Sequence, residues 1–191
     1  LAGNDQTNGY VLLATACDGT LATTAQFTSI RVVCNNTLAV ALNGNTHAVK
    51  VRHSTTFDPQ AVKKQLGISV SAWDDFMYRL KALSERRITR KTAAKVMQTI
   101  FTDTGYQPQG MPVKANEQAM KKAMALYEGA GRGSELASAK NTAYGLLNAV
   151  TEFVDHERRA RSTDNRLDSA WFGKGAQIKQ RALEQTSLLV A

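Results

Sequence analysis

The first third of the chain alternates short apolar segments with turn-forming residues, which is a pattern typical of β structure. It predicts three strands, at residues 10–17, 20–33 and 48–53. Asp18 and Gly19 separate the first two strands, and this dipeptide favours a two-residue hairpin turn. Residues 34–37 have the sequence CNNT, whose side-chain oxygens can begin a helix, so we expect a short helix at residues 38–42.

From residue 58 onward, apolar residues recur every three or four positions, which is the period of an amphipathic helix. Asp58, Thr89 and Asn116 each precede such a segment and can cap it. The pattern predicts five to six helices, at residues 59–66, 70–86, 90–101, 117–127 and 141–161 and from about residue 176 onward. Residues 103–112 are rich in glycine, proline and glutamine and predict a loop.

These elements predict an α+β fold, in which the helices pack on a small, mostly antiparallel sheet made of a hairpin, a third strand and a short helix. A β-rich part at residues 1–57 and a helical part at residues 58–191 together form one predicted domain over residues 1–191. The chain begins with Leu1 and not with methionine, so we also expect it to be part of a longer protein.

The longest regular helical period lies at residues 141–161. With 100° between successive residues, one side carries apolar residues, namely Leu146, Leu147, Val150, Phe153 and Val154. The other side, called the polar stripe below, carries Asn141, Gly145, Asn148, Glu152, Asp155, His156 and Arg159. The polar stripe is either an internal network that holds the helix in place or a polar binding groove, and the arginines that follow favour the groove.

The net charge of +8 favours an anionic partner such as nucleic acid, although solubility alone is a sufficient reason for it. Most of this charge lies in the helical part, because residues 1–57 carry only +1. The side chains that we predict to contact nucleic acid form two clusters and one strand position: Arg86, Arg87, Arg90, Lys91 and Lys95; Arg158, Arg159 and Arg161; and Arg52. Each cluster is equally compatible with a solvated surface.

The sequence contains no motif typical of catalysis, cofactor binding or metal binding. Residues 129–133 resemble a phosphate-binding loop only in glycine content, because no Gly-Lys-Ser/Thr ending follows. The three histidines are His47, His53 and His156, and they lack the spacing of metal ligands. Cys34 and His53 would form a reactive pair if their strands were neighbours, but a buried thiol near an unrelated histidine is the simpler interpretation. We therefore expect no cofactor and lean against enzymatic activity.

The location of the protein is predicted from what the sequence lacks. No apolar segment approaches the roughly 20 residues that a membrane span requires, and the first residues do not form a signal peptide. The two cysteines, Cys17 and Cys34, form neither a disulfide framework nor a zinc site. We expect a reduced protein of the cytoplasm that does not contact membranes.

A second polar segment, RVVCNNT at residues 31–37, places an arginine late on a strand and before two amides. The guanidinium, the amide donors and the free N–H groups of a following helix can together bind an anion. The simpler alternative is that Asn35 and Asn36 cap that helix while Arg31 pairs with a carboxylate. Both interpretations remain open at the level of sequence.

Several motifs in this chain occur in the same order as in a known family: CDGT, FTSIRVVCNNTL, VRHSTTFD, LYEGAGRG, NTAYGLLNAVTEFVDHERRAR and LDSAWFGKGAQIKQRAL. On these motifs the chain resembles, over nearly its whole length, the phage- and plasmid-related DUF932 family of unknown function. The resemblance implies residence on mobile elements, and it implies a C-terminal portion whose longer relatives have more β structure before the hairpin. It supplies no catalytic residues, and it favours a role connected with DNA.

The two most specific motifs of the resemblance are RVVCNNTL and NAVTEFVDH, and we expect their polar residues to lie close together. These residues are Arg31, Asn35, Asn36, Asn148, Glu152, Asp155 and His156. The first hypothesis for function is a DNA-binding accessory protein of phage or plasmid, such as a single-strand binder or annealer in recombination or replication. The second is an enzyme whose site joins these two motifs. The third is a structural or partner-binding module, including a homo-oligomer joined through a sheet edge.

Overall fold

A computed structural model of the chain describes residues 1, 3–19, 21–39, 48–66, 70–102 and 115–190. In this part of the chain the sheet has four strands, β1 (Thr7–Ala14), β2 (Thr23–Arg31), β3 (Asn36–Ala39) and β4 (Val49–Val51). All pairings are antiparallel, and β2 is central. β1 pairs along one edge of β2, while β3 and β4 share the other edge, opposite residues 28–31 and 23–25. The predicted small antiparallel sheet is confirmed.

The central position of β2 explains its composition, because residues 24–29 are all buried. A strand covered on both faces needs no alternation of apolar and polar side chains. β1 forms the other extreme, since Tyr10, Val11 and Leu13 expose 48%, 53% and 57% of their surface. β1 is therefore an edge strand with exposed apolar side chains, Val11 and Leu13 on one face and Tyr10 on the other.

The predicted two-residue hairpin turn at Asp18 and Gly19 is wrong. Ala14 pairs with Thr24, so the connection between β1 and β2 spans residues 15–22. Within it, Gly19 has a φ of 78° and donates its N–H to the Ala16 carbonyl at 3.3 Å. Asp18 and Gly19 do lie in a turn, but the strand pairing begins several residues away from them, at Ala14 and Thr24. The burial of β2 sets the register of this pairing.

The predicted helix at residues 38–42 is also wrong for Leu38 and Ala39, which belong to β3. Residues 40–42 lie outside the described part of the chain. Asn35 has a φ of 56° and donates its N–H to the Arg31 carbonyl at 2.9 Å, which closes a tight turn. Asparagine tolerates this left-handed conformation, so the chain reverses and β3 pairs with β2. The CNNT segment thus begins a strand where we expected a helix.

The helical part follows the predicted order. The helices are α1 (Pro59–Leu66), α2 (Val70–Glu85), α3 (Arg90–Phe101), α4 (Glu117–Ala125), α5 (Ala143–Glu152), α6 (Thr163–Trp171) and α7 (Lys174–Ser187). Asp58, Thr89 and Asn116 cap α1, α3 and α4 through their side chains, as predicted. α6 was not predicted. Its N-cap is Ser162, whose hydroxyl accepts from the Asn165 N–H at 3.1 Å. The predicted loop at residues 103–112 lies outside the described residues.

The helix predicted at residues 141–161 is α5, and it is buried on every side. Thr142 caps it, all ten of its residues are buried, and one π-helical turn, Phe153–Glu157, continues it. A similar turn, Leu126–Ala130, continues α4. α5 is surrounded by α2, α4, α7 and β3. Of the two interpretations of the polar stripe, the buried surroundings of α5 favour the internal network over the groove, and Arg159 lies beyond the helix.

One close contact shows how tightly α5 is enclosed. A Cβ atom built on Gly145 would lie 1.9 Å from the Ala139 carbonyl oxygen, so only glycine fits there. The core around α5 is continuous with the sheet, because Phe27 of β2 and Leu38 of β3 belong to the same apolar cluster as Leu146. No described helix combines the length and the apolar character that a membrane span requires.

Candidate functional site

Arg31, at the end of β2, forms a buried ion pair with Asp5, a residue that the sequence did not single out. Its Nε and Nη2 donate to the two carboxylate oxygens at 2.9 and 2.8 Å, and Nη2 also donates to the Gly133 carbonyl at 3.2 Å. Ser138 donates its hydroxyl to the same carboxylate. The anion-binding interpretation of Arg31 is therefore wrong, because a carboxylate of the chain itself occupies the guanidinium.

Tyr144 of α5 completes this cluster, with its ring centroid 5.2 Å from the guanidinium carbon of Arg31. Burial by itself lowers the pKa of Arg31, but the hydrogen bond to Asp5 and the neighbouring Tyr144 outweigh burial and raise that pKa. Burial raises the pKa of the Tyr144 hydroxyl to about 12, against the opposing effect of Arg31. Both groups therefore keep their protons far above neutral pH.

The structure brings the RVVCNNT turn and α5 together through direct hydrogen bonds. Asn36 donates from Nδ2 to the Asn148 carbonyl at 3.1 Å, and Asn148 donates from Nδ2 to the Tyr144 carbonyl at 2.8 Å. His156 Nε2 lies 3.1 Å from the Cys34 carbonyl oxygen. Asn36 and Asn148 are both buried, and Asn36 Oδ1 has no partner among the described residues. These contacts join the turn to the helix inside the fold.

Asp155, in the π turn, links β3 to α7. Its Oδ2 accepts from the Thr37 N–H at 2.7 Å and from the Thr37 hydroxyl at 2.9 Å. Its Oδ1 accepts from Lys179 Nζ at 2.8 Å, and both charged side chains are more than nine-tenths buried. The Lys179 ammonium also lies 5.4 Å from the Trp171 ring centroid. Burial lowers the pKa of Lys179, while Asp155 acts in the opposite direction.

Glu152 binds the glycine-rich segment that follows α4. Both carboxylate oxygens accept from the Arg132 N–H at 3.1 Å, and Glu152 is buried. A Cβ atom on Gly131 would lie 2.7 Å from the Leu126 carbonyl oxygen and 3.1 Å from Glu152 Oε2. The segment at residues 129–133 therefore presents its backbone N–H to a carboxylate of this chain.

The polar residues of the two motifs thus form an internal network and not an open groove. Of the seven predicted residues only Asn35 is exposed, and it serves the turn. The cavity lined by Arg31, Asn36 and Asn148 has a volume of about 20 Å³, which is sufficient for one water molecule. A substrate has no room in this cavity, which argues against an enzyme site at the junction of the two motifs.

The sequence also left open a reactive pair of Cys34 and His53, and the fold separates these residues. Cys34 follows the end of β2, whereas β4, just before His53, pairs with the start of β2. His53 Nε2 lies 2.9 Å from the Leu21 carbonyl oxygen, and burial raises the pKa of the Cys34 thiol. Within the described ranges, no group of three His, Cys, Asp or Glu side chains is arranged to hold a metal ion.

The nine cations that we predicted to contact nucleic acid do not form one cluster. Eight are exposed, and Arg158 is half-buried. Arg87 donates to the Lys140 carbonyl, and Arg90 pairs with Glu128. The Arg90 contact ties the start of α3 to the end of α4, whereas Arg158 lies near the opposite end of this helix pair. Along α3, Arg90 thus lies about 16 Å and Lys95 about 9 Å from the end of the helix near Arg158, given a rise of 1.5 Å per residue.

A cleft of about 460 Å³ lies between the end of α3, the start of α4, the π turn after α5 and the start of α7. Among the described residues, five cationic side chains and one carboxylate line it, namely Lys122, Arg158, Arg159, Lys174 and Arg181 with Glu157, and Lys174 also has an interaction elsewhere in the protein. We call it the basic cleft. It combines Arg158 and Arg159 of one predicted cluster with three cations from α4 and α7, whereas Arg161 of that cluster is not among its lining residues.

Two arginines in the basic cleft are held in place by uncharged groups of the protein. Arg181 donates from Nη1 to the Ile100 and Thr102 carbonyls at 3.0 and 2.7 Å. Arg158 donates from Nη1 to the Ser169 hydroxyl at 2.6 Å. The ion pairs found in the described part of the chain involve neither arginine. Both guanidinium groups are therefore held by uncharged acceptors, and neither forms an ion pair with a described carboxylate.

Lys122, Lys174 and Arg181 are the cleft residues that the sequence did not reveal. They lie on α4 and α7, which are far apart in the chain, so no local cluster of charge marks them. The half-burial of Arg181 depends on α3, whose carbonyl groups at its end it caps. Only the packing of α7 against α3 and α5 assembles these cations.

A model of DUF932, a domain of unknown function, matches residues 1–171 of the chain. The chain belongs to the DUF932 family. The matched residues include the sheet, α5 and its π turn, and they end with α6. α7, which supplies Lys174, Lys179 and Arg181, follows the matched residues. Searches of curated proteins and of solved structures found no match.

Asp155→Asn in this DUF932 protein is expected to lower the free energy of unfolding by about 3–5 kcal/mol, because a buried Lys179 ammonium would lose its counter-charge. Urea denaturation at pH 7 measures the change. Replacing both partners, with Asp155→Leu and Lys179→Met, should recover much of the loss. Glu135→Gln is the matched control, because its pair with Lys140 is exposed and should contribute less than about 1 kcal/mol. Equal losses for Asp155→Asn and Glu135→Gln would contradict the prediction.

The pKa of Tyr144 predicts a loss of stability at alkaline pH. The hydroxyl has a pKa of about 12 in the folded protein against an ordinary value of 10.0, so the folded state binds the proton more tightly. The free energy of unfolding therefore falls as the pH rises from 10 to 12, by about 1.4 kcal/mol at pH 11 for this one group.

Urea denaturation at pH 9 and pH 11 tests this prediction. In Tyr144→Phe, the drop in unfolding free energy between the two values should be smaller than in the original protein by about 1.4 kcal/mol. Tyr78→Phe is the control, since Tyr78 is 75% exposed and should not change the drop. A drop that is unaffected by Tyr144→Phe would show that this hydroxyl is not responsible.

Proposed function

We propose that this DUF932 protein is a DNA-binding accessory protein of phage or plasmid origin, which binds single-stranded DNA in the cytoplasm during recombination or replication. The observation that carries the proposal is the basic cleft, where Lys122, Arg158, Arg159 and Arg181 converge and Glu157 is the one carboxylate among the described lining residues. The formal net charge of +8 supports an anionic partner over the whole chain. Phosphate groups are the anions that such a concave, positively charged surface binds best.

The way in which Arg158 and Arg181 are held in place supports phosphate binding more strongly than the number of cations does. Each guanidinium is oriented by uncharged acceptors, so an incoming phosphate does not have to break an internal ion pair. Guanidinium groups bind phosphate through two parallel hydrogen bonds, and fixed groups lose little side-chain entropy on binding. The basic cleft is therefore already arranged for an anion.

The lining of the basic cleft favours a single strand over a duplex. Unpaired bases expose flat apolar faces, and proteins that bind single strands combine a basic groove with apolar or aromatic contacts. Here the half-buried Ile178 lies among the cations. The second basic cluster, whose Lys95 and Arg90 lie about 9 and 16 Å from the cleft end of α3, lies within reach of the same strand, since single-strand sites commonly span about 4–16 nucleotides.

Binding of a fluorescently labelled 20-nucleotide single strand, followed by anisotropy at several salt concentrations, tests the proposal. The logarithm of the association constant should fall linearly with the logarithm of the salt concentration, by about 0.7 per phosphate contact. The double substitution Lys122→Gln and Arg159→Gln should weaken binding and reduce this slope by about 1.4, because two contacts are lost. A duplex of the same sequence should bind less tightly.

The matched control is Lys63→Gln with Lys64→Gln on α1. Both lysines are exposed, α1 packs on β2 and β4, and the change in net charge is the same. This variant should keep nearly the original affinity. The proposal would be refuted by the absence of DNA binding, by binding without salt dependence, or by equal losses in the two double variants.

A second candidate function, partner binding through self-association, is favoured by the exposed side of β1. Tyr10, Val11 and Leu13 are about half exposed, and the outer edge of β1 pairs with no described strand. Such an edge can pair with the β1 strand of a second copy. We expect a dimer by light scattering and a monomer after Val11→Lys, with Tyr78→Lys on α2 as the control. A strict monomer at high concentration would exclude this candidate.

A further inference from the structure

The basic cleft is closed at its base by side chains of the hydrophobic core. Ile100, Phe101 and Phe153 line it, yet none of them exposes more than 6% of its surface. The rings of Phe101 and Phe153 pack edge to face, with centroids 5.5 Å apart. A tightly packed base of this kind does not open, because core side chains occupy defined positions. A polymer can therefore enter the basic cleft but cannot pass through its base.

The size of the basic cleft fits one nucleotide. Its volume of about 460 Å³ lies within the range of about 300–1,000 Å³ that is typical of small-molecule sites. A depression of about 470 Å³ lies beside Phe27 and Trp73, but none of the described residues that line it is charged. The two depressions have similar volumes, so size does not distinguish them. The cations of the basic cleft therefore decide which kind of ligand the basic cleft binds.

The charge of the basic cleft favours a phosphomonoester over an internal phosphate. A phosphate inside a strand carries one negative charge, whereas a phosphomonoester carries about 1.5 to 2 at pH 7 and presents three acceptor oxygens. Even without Lys174, the four cations Lys122, Arg158, Arg159 and Arg181 exceed what one internal phosphate can engage. Two of them, Arg158 and Arg181, are fixed guanidinium groups suited to bind several oxygens at once.

We propose that the basic cleft binds the phosphorylated end of a DNA strand, with the terminal phosphate bound by the cations and its nucleotide against the apolar base. Arg158 and Arg181 donate hydrogen bonds to the phosphate oxygens, and Lys122 and Arg159 contribute positive charge. This inference rests on the proposed function and adds to it a preference for strand ends. A single ligand would then account for both the closed base of the basic cleft and its excess of positive charge.

Competition between oligonucleotides of one sequence tests the inference. Three unlabelled 10-nucleotide strands are used, with a 5′-phosphate, with a 3′-phosphate, or with hydroxyl groups at both ends. Each displaces a labelled strand from the full chain. One phosphorylated competitor should bind at least about tenfold more tightly than the hydroxyl competitor, since hydrogen bonds between charged groups contribute that much. The better of the two shows which end the basic cleft accepts.

Variants connect this preference to the basic cleft. Lys122→Gln with Arg159→Gln should remove most of the tenfold difference, and both side chains are exposed, so the fold should be kept. Arg158→Lys retains the charge but lacks the planar fork, and it should reduce the difference. Lys63→Gln with Lys64→Gln should leave the difference intact. Thermal unfolding verifies that each variant is folded.

The outcomes separate this inference from the proposed function. Equal, salt-dependent binding of all three competitors would overturn the preference for ends and leave DNA binding in place. A preference that survives in Lys122→Gln with Arg159→Gln would overturn its assignment to the basic cleft. The absence of binding by every oligonucleotide would refute both the inference and the proposed function.

Discussion

Complete burial of α5 is the constraint on which the rest of the structure depends. A helix surrounded by other elements must find a partner inside the protein for each polar group that it carries, because a buried group without one costs about 1–3 kcal/mol. The turn before β3, the glycine-rich segment after α4 and the buried Lys179 of α7 supply those partners. The polar stripe therefore organises the contacts between sheet and helices.

The end of α5 joins this network to the surface. The π turn carries Asp155 inward to Thr37 and Lys179, and the next residue after the turn, Arg158, reaches the basic cleft. The same helix α7 that neutralises Asp155 also contributes Arg181 to the cleft. The buried ion pair and the basic cleft thus depend on the same two elements, the π turn and α7. A loss of the ion pair would therefore also displace Arg158 and Arg181.

The sequence by itself was sufficient to predict features that depend only on residues close together in the chain. Asp58, Thr89 and Asn116 begin their helices because a cap needs only a side chain and the amides two or three positions later. The period of 3.6 residues located five of the seven described helices closely, and the α+β class followed from the change of period near residue 58. The family motifs pointed to the two segments that meet in the network.

Only the tertiary structure decided which distant groups meet. Nothing local distinguishes Asp5 as the partner of Arg31, or Lys179 as the partner of Asp155, because a buried pair is chosen by packing. The same holds for β3, where pairing with β2 outweighs the local preference of CNNT for a helix start. The basic cleft likewise exists only because α3, α4 and α7 converge, since its cations are scattered along the chain and gain a common electrostatic field only when the helices pack.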